Sequence, residues 1–217
     1  MALMTTPKEI NEKVRAFCRT IDPTQEPVRV KVQAEAGAKF DNCYLTVAEK
    51  QKRDQGGIQH GWIIWEWEGT LLEAEFHAVW VPPGGGLLDV SPKADGETEI
   101  VFLPDSQRVW QNRSVPSCRM PLREDAVLRD YISAATEYDG LKEKYSDTTG
   151  LPQIPMHLLV PVQTRLSAAY QKLGGKVEMP PLATLENTRV KRRELSPRER
   201  AEERKRQRRK DKRKLDK

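Results

Sequence analysis

Apolar residues near the start of the chain recur at helical spacing. They are separated by three or four positions, as on one face of an α-helix, and are Ile10, Val14, Phe17 and Ile21. Thr6 precedes them as a candidate N-cap, and Pro7 follows at a position where the first turn of a helix tolerates proline. The pattern therefore predicts an amphipathic helix over residues 7–21.

The middle of the chain has the pattern of β-strands. Val28, Val30 and Val32 alternate with charged residues, which is typical of a half-buried strand. Residues 58–68 and 71–81 are rich in β-branched and aromatic side chains and meet at a glycine, which predicts an antiparallel hairpin. Two shorter apolar runs predict further strands, at residues 87–90 and 99–103.

A second helix is predicted between the first strand and the hairpin, over residues 43–55. Asp41 and Asn42 are both good N-cap residues, so Cys43 falls in the first turn. Gly56 and Gly57 follow as a left-handed stop signal. The sequence therefore places a cysteine at the amino-terminal end of a helix.

Beyond residue 104 the pattern becomes helical, over residues 122–145 and 158–172, and after residue 186 apolar residues nearly vanish. This order predicts an α+β fold in which N-terminal helices pack on a mostly antiparallel sheet. C-terminal helices and a charged tail follow. We expect a core over residues 1–104, a helical extension packed on it over residues 105–186, and a basic tail over residues 187–217 that is disordered or a solvated helix.

The net charge of +5 hides two unlike parts. Residues 189–217 hold 16 Lys and Arg against 6 Asp and Glu, a charge of +10, which leaves −5 for residues 1–188. Such a tail suits phosphate backbones or an acidic partner, but no aromatic residue is interleaved for base stacking. Nonspecific nucleic-acid binding and a merely solvated tail both remain open.

Composition points to a reduced, non-membrane environment. No run approaches 18 consecutive apolar residues, and the first residues lack the pattern of a secretory signal. The three cysteines, Cys18, Cys43 and Cys118, include no Cys-x-x-Cys pair. We therefore expect a cytoplasmic protein with free thiols. Scattered histidines and cysteines predict no metal site, and no cofactor is expected.

Three residues carry the candidate chemistry: Cys43, His77 and Asp89. A helix amino terminus and a neighbouring imidazole both favour the nucleophilic thiolate. A carboxylate on the far ring nitrogen would fix the tautomer and orientation of the histidine. The turn Pro82-Pro83-Gly84-Gly85-Gly86 can fold the strand of Asp89 back beside that of His77, which predicts that the two residues are near neighbours.

These residues and their surroundings resemble the transglutaminase-like branch of the papain-like cysteine enzymes. The matching segments, within residues 40–92, are Cys43, Gly57-Ile58, Gly61-Trp62, His77-Ala78-Val79-Trp80 and Asp89-Val90-Ser91-Pro92. The resemblance implies a papain-like core with Cys43 as nucleophile, His77 as general base and acid, and Asp89 as orienting residue. It implies no particular substrate.

Together these features predict a cysteine-dependent hydrolase or acyltransferase acting on an amide bond, of the peptide or glutamine type. The alternative is a non-catalytic interaction protein of the same fold that binds nucleic acid or an acidic partner through its basic tail. In that case Cys43 would be a small buried apolar residue and His77 a hydrogen-bonded core histidine.

The remaining candidates stay open at the sequence level. Asn42, Gln33 and Trp62 are guesses for a side-chain oxyanion donor, and Glu75 shares a strand face with His77 as a rival to Asp89. Four tryptophans crowd residues 62–80. Most of them are expected in the sheet core, but Trp62 or Trp80 could instead line a substrate cleft. His60 and His157 are expected to be exposed and structural, respectively.

Overall fold

The computed structural model describes residues 4–39, 42–93, 96–146 and 152–175. Within these ranges the chain forms helices α1 (Glu12–Ile21), α2 (Cys43–Asp54), α3 (Ala126–Tyr145) and α4 (Met156–Lys172). The strands are β1 (Val28–Val32), β2 (Gly57–Trp67), β3 (Leu71–Val81), β4 (Leu88–Asp89), β5 (Glu99–Pro104) and β6 (Cys118–Pro121). The predicted α+β class is confirmed.

The strands form one sheet that closes on itself into a small barrel. Their order is β2-β5-β1-β4-β3-β6, and β2 also pairs with β3, so that only β6 lies outside the ring. The β1–β4 pairing is parallel and the other pairings are antiparallel. The predicted mostly antiparallel sheet is therefore confirmed as well.

The longest pairing is the predicted hairpin of β2 and β3. It runs in unbroken register from the Gly57↔Val81 pair to the Trp67↔Leu71 pair. Gly69 makes the turn at a φ of 64°, a backbone conformation that residues other than glycine rarely adopt. This hairpin is the rigid support on which His77 is carried.

Alternate residues of the sheet fill two cores. One face packs against α1 through Val14, Phe17 and Cys18, and against α2 through Val47. The other face fills the barrel interior with five buried residues, Val30, Ile63, Val79, Ile100 and Phe102. Trp62, Trp67 and Trp80 are all buried, as expected for sheet core.

The first helix begins later than its apolar spacing predicts. It starts at Glu12, and the Asn11 side chain accepts a hydrogen bond from the Val14 amide at 3.1 Å. The predicted cap was wrong, because the Thr6 hydroxyl accepts a hydrogen bond from the Val101 amide at 2.7 Å instead. The segment before the helix lies along the sheet, where its polar groups are paired.

The C-terminal helices α3 and α4 pack on each other and on the end of the hairpin, where Trp67 and Leu71 contact Leu128, Tyr131 and Ala169. Asp125 caps α3 through hydrogen bonds from the Val127 and Leu128 amides. Strand β6 lies beyond the expected core boundary at residue 104 and pairs with β3. The sheet therefore extends into the segment that was predicted to be helical.

Candidate functional site

Cys43 opens helix α2, as the sequence predicts. Asn42 occupies the N-cap position, but its side chain makes no capping hydrogen bond within the described residues. Its carbonyl oxygen instead accepts hydrogen bonds from the amide and hydroxyl of Thr46, at 3.0 and 2.9 Å. The first backbone N–H groups of a helix have no partner inside the helix. The half-buried thiol therefore lies in the first turn, at the positive end of the helix dipole.

His77 lies in the middle of β3 and is almost completely buried. Its cross-strand neighbour is Gly61. A Cβ atom at Gly61 would come within 2.3 Å of the Leu103 carbonyl oxygen and 2.5 Å of the Phe102 ring. Glycine is required here because β2 and β5 approach so closely. The tight packing fixes the strand segment opposite the histidine.

Asp89 holds the His77 ring, at the place that the turn count predicts. The His77 Nε2 atom is 2.9 Å from Asp89 Oδ2, and the pair is buried. The other carboxylate oxygen, Oδ1, accepts a hydrogen bond from the Ser91 amide at 2.9 Å. An ionised carboxylate only accepts hydrogen bonds, so Nε2 carries the hydrogen and the ring is oriented by Asp89.

The Cys43 thiol lies close enough to the same ring to act on its pKa. Burial lowers the pKa of His77, but the charges of Cys43 and Asp89 and their hydrogen bonds outweigh it and raise the pKa to about 10. The structure thus places His77 against Asp89, with Cys43 nearby, and the catalytic roles of the three residues stay a prediction. A positively charged ring next to a sulfur atom favours the thiolate.

Lys93 is a fourth charged residue that the sequence reasoning missed. Its Nζ atom is 2.7 Å from Asp89 Oδ2 and donates to the Ser91 carbonyl oxygen at 3.2 Å. Burial alone would raise the pKa of Asp89. The charges and hydrogen bonds of His77, and then of Lys93, outweigh burial and lower this pKa to about 2. The available signal was a lysine four residues after the aspartate.

A group of aromatic side chains adjoins the cysteine. Tyr44 stacks on Trp110 with ring centroids 4.4 Å apart, and its hydroxyl donates to the Phe76 carbonyl oxygen at 2.7 Å. Burial, and then the charges of Cys43 and Glu75, raise the pKa of Tyr44, so it stays a protonated donor. His60 stacks on Phe76 with centroids 6.0 Å apart. It is half-buried rather than exposed, and burial lowers its pKa. Sequence reasoning did not single out Tyr44 or Trp110, because their meeting depends on tertiary contacts.

The structure excludes several of the open candidates. The Trp62 indole donates to Asp105 at 3.1 Å and that of Trp80 to the Gln55 carbonyl at 2.8 Å, both from buried positions, so neither lines a cleft. Exposed Glu75 accepts a hydrogen bond from the Trp65 indole at 3.0 Å, and the orienting position belongs to Asp89. His157 is exposed at the start of α4. Asp41 and the tail at residues 187–217 lie outside the described residues.

The described ranges contain neither a metal-binding cluster nor a membrane-spanning helix. No group of three or more His, Cys, Asp and Glu side chains there could hold a metal ion. No helix in those ranges is both long and apolar enough to cross a membrane.

Comparison of the chain with protein families, curated proteins and solved structures finds no match in any of the three.

Proposed function

We propose that the protein is a cysteine-dependent hydrolase or acyltransferase that acts on an amide bond, and that its barrel and helix α2 form a papain-like core. The observation that carries the proposal is the buried His77 ring, whose Nε2 atom lies 2.9 Å from Asp89 Oδ2 and whose pKa the nearby Cys43 raises. A nucleophile, a base and an orienting group in contact are the parts that covalent acyl transfer needs.

The reaction follows from these contacts. The Cys43 thiolate attacks the amide carbonyl carbon, a C–S bond forms, and the oxygen becomes an oxyanion. The backbone amides in the first turn of α2 are the donors that would stabilise this charge. His77 then gives its proton to the amine, the C–N bond breaks, and a thioester remains.

The second half regenerates the enzyme. Water or an amine attacks the thioester carbon, His77 accepts the proton of the attacking group, and the C–S bond breaks. The products are a carboxylic acid or a new amide, together with the resting Cys43–His77 pair. Asp89 engages Nε2, which leaves Nδ1 as the nitrogen that exchanges protons with the sulfur and the substrate.

The direct test is alkylation of the thiols by iodoacetamide at pH 7, resolved for each cysteine by peptide mass spectrometry. We expect His77→Asn to slow labelling of Cys43 by about 10-fold or more, because an unassisted thiol is only a few per cent thiolate at this pH. Cys118 serves as an internal control, since burial raises its pKa and it lies outside the site. His60→Asn is the matched control variant, because His60 contacts Tyr44 and Phe76. An unchanged Cys43 rate in His77→Asn would refute the proposal.

The basic tail supports a second proposal, nonspecific binding of nucleic acid, because residues 189–217 carry a charge of +10. Binding of a DNA or RNA duplex should weaken steeply with salt. A variant with the Lys and Arg residues of 204–214 replaced by Gln should lose most of this binding. Equal binding by both proteins would contradict the proposal. The two functions are compatible with each other.

A further inference from the structure

The side chain of Lys93 is almost completely buried next to the candidate site. Lysine is rarely buried unless its charge has a partner. The Lys93 side chain is 6% exposed, and its ammonium group lies 2.7 Å from Asp89 Oδ2. The same oxygen binds His77 Nε2 at 2.9 Å. One carboxylate oxygen therefore serves two cations, and the ion pair of Lys93 is made with the group that orients the histidine.

We propose that Lys93 is a positioning residue of this site, which fixes the Asp89 carboxylate and weakens its hold on the His77 proton. The inference rests on the proposed function, in which His77 must give its proton to a leaving amine. A general acid that binds its proton too tightly is a poor donor. Sharing Asp89 with Lys93 offsets part of the negative charge that would otherwise retain that proton.

The charges around the site support this role. Within the described ranges, the groups that act on His77 are Cys43 from α2 and Asp89 from β4, and those that act on Asp89 are His77 and Lys93. Thiolate, imidazolium, carboxylate and ammonium together are electrically neutral. Without Lys93 the buried group would carry an uncompensated negative charge, which is costly in a low-dielectric interior.

The test is titration of the His77 ring by NMR in the full chain, in a Cys43→Ser background. Removing the sulfur charge lowers the midpoint of His77 toward neutral pH, where the protein is easier to titrate. In this background Lys93→Met should raise the His77 midpoint by about one pH unit, because the full charge of Asp89 then acts on the ring. Lys93→Arg keeps the charge and should restore the parent midpoint.

Lys50→Met is the matched control. Lys50 also has a largely buried ammonium, bound to Glu35 at 2.6 Å and Asp54 at 2.7 Å, but it does not contact the site. This variant should leave the His77 midpoint unchanged. Lys93→Gln preserves a donor to Asp89 without the charge, so it should shift the midpoint even if Lys93→Met does not fold.

A His77 midpoint that stays unchanged or falls in Lys93→Gln would overturn the inference, and so would a loss of thermal stability without a shift. The titration needs no substrate and no thiol, whereas the alkylation test depends on both Cys43 and His77. Failure of the Lys93 inference is therefore distinguishable from failure of the proposed function.

Discussion

Strand β3 carries two buried charged clusters, and only one of them has the parts of an active site. Toward its start, Glu73 binds Arg119 of β6 at 2.7 Å, and Arg119 in turn binds Asp139 of α3 at 2.7 Å. Further along, His77 binds Asp89, which binds Lys93. Both clusters alternate in charge, so that each buried ion has a partner of opposite sign.

The clusters differ in whether their central side chain can take and release a proton. The centre of the first is a guanidinium, which stays protonated at any pH a protein survives. The centre of the second is an imidazole whose pKa is raised by a nearby half-buried cysteine at a helix end. Burial of paired charges thus fastens β6 and α3 to the sheet in one place. In the other it holds a group that can take and release a proton.

The largest expected effect on this comparison is the removal of Arg119. Arg119→Met leaves the buried Glu73 without its partner and Asp139 with Lys142 alone, and we expect a loss of about 3 kcal/mol in the free energy of unfolding. Urea denaturation followed by circular dichroism measures it. Arg129→Met is the control, because its pair with Glu124 is highly exposed and should contribute less than about 1 kcal/mol. Equal losses in both variants would show that the first cluster has no stabilising role.

A smaller effect, with opposite signs in the two clusters, is expected on acidification. The pKa of Asp89 is about 2 in the folded protein, below its ordinary value near 3.9. Its ionisation therefore stabilises the fold by about 2.5 kcal/mol above about pH 5, a contribution that is lost as the pH falls toward 2. Burial raises the pKa of Glu73, so protonating this residue on acidification should instead favour the folded state.

The check is urea unfolding of the parent, Asp89→Asn and Glu73→Gln proteins at pH 7, 5 and 3. The stability deficit of Asp89→Asn relative to the parent should shrink as the pH falls. The difference between Glu73→Gln and the parent should move the other way, because the parent alone gains from protonating Glu73. If the free energy of unfolding, relative to the parent, changed with pH in the same way in both variants, the proposed difference between the clusters would be wrong.

Sequence periodicity predicts the hairpin and all four helices of the described residues, because each is long enough to show its own period. It also predicts the contact of His77 with Asp89, since a short glycine-rich turn fixes which residues of adjacent strands meet. The predicted start of α1 was wrong because the Thr6 hydroxyl accepts a hydrogen bond from the Val101 amide, 95 residues away in the sequence. Lys93 and Trp110 were missed for a related reason. Their roles depend on side-chain contacts that no local pattern encodes.

The smallest expected effect concerns Ser91, and it distinguishes the role of the Ser91 backbone amide from that of its side chain. The buried hydroxyl of Ser91 has no hydrogen-bond partner among the described residues, whereas its amide donates to Asp89 Oδ1 at 2.9 Å. Ser91→Ala keeps the amide and removes the unpaired hydroxyl, so we expect the free energy of unfolding to stay equal or rise by less than about 1 kcal/mol. The NMR midpoint of His77 should not move. A shifted midpoint, or a clear loss of stability, would mean that the hydroxyl takes part in holding Asp89, and that side chains beyond Lys93 tune the second cluster.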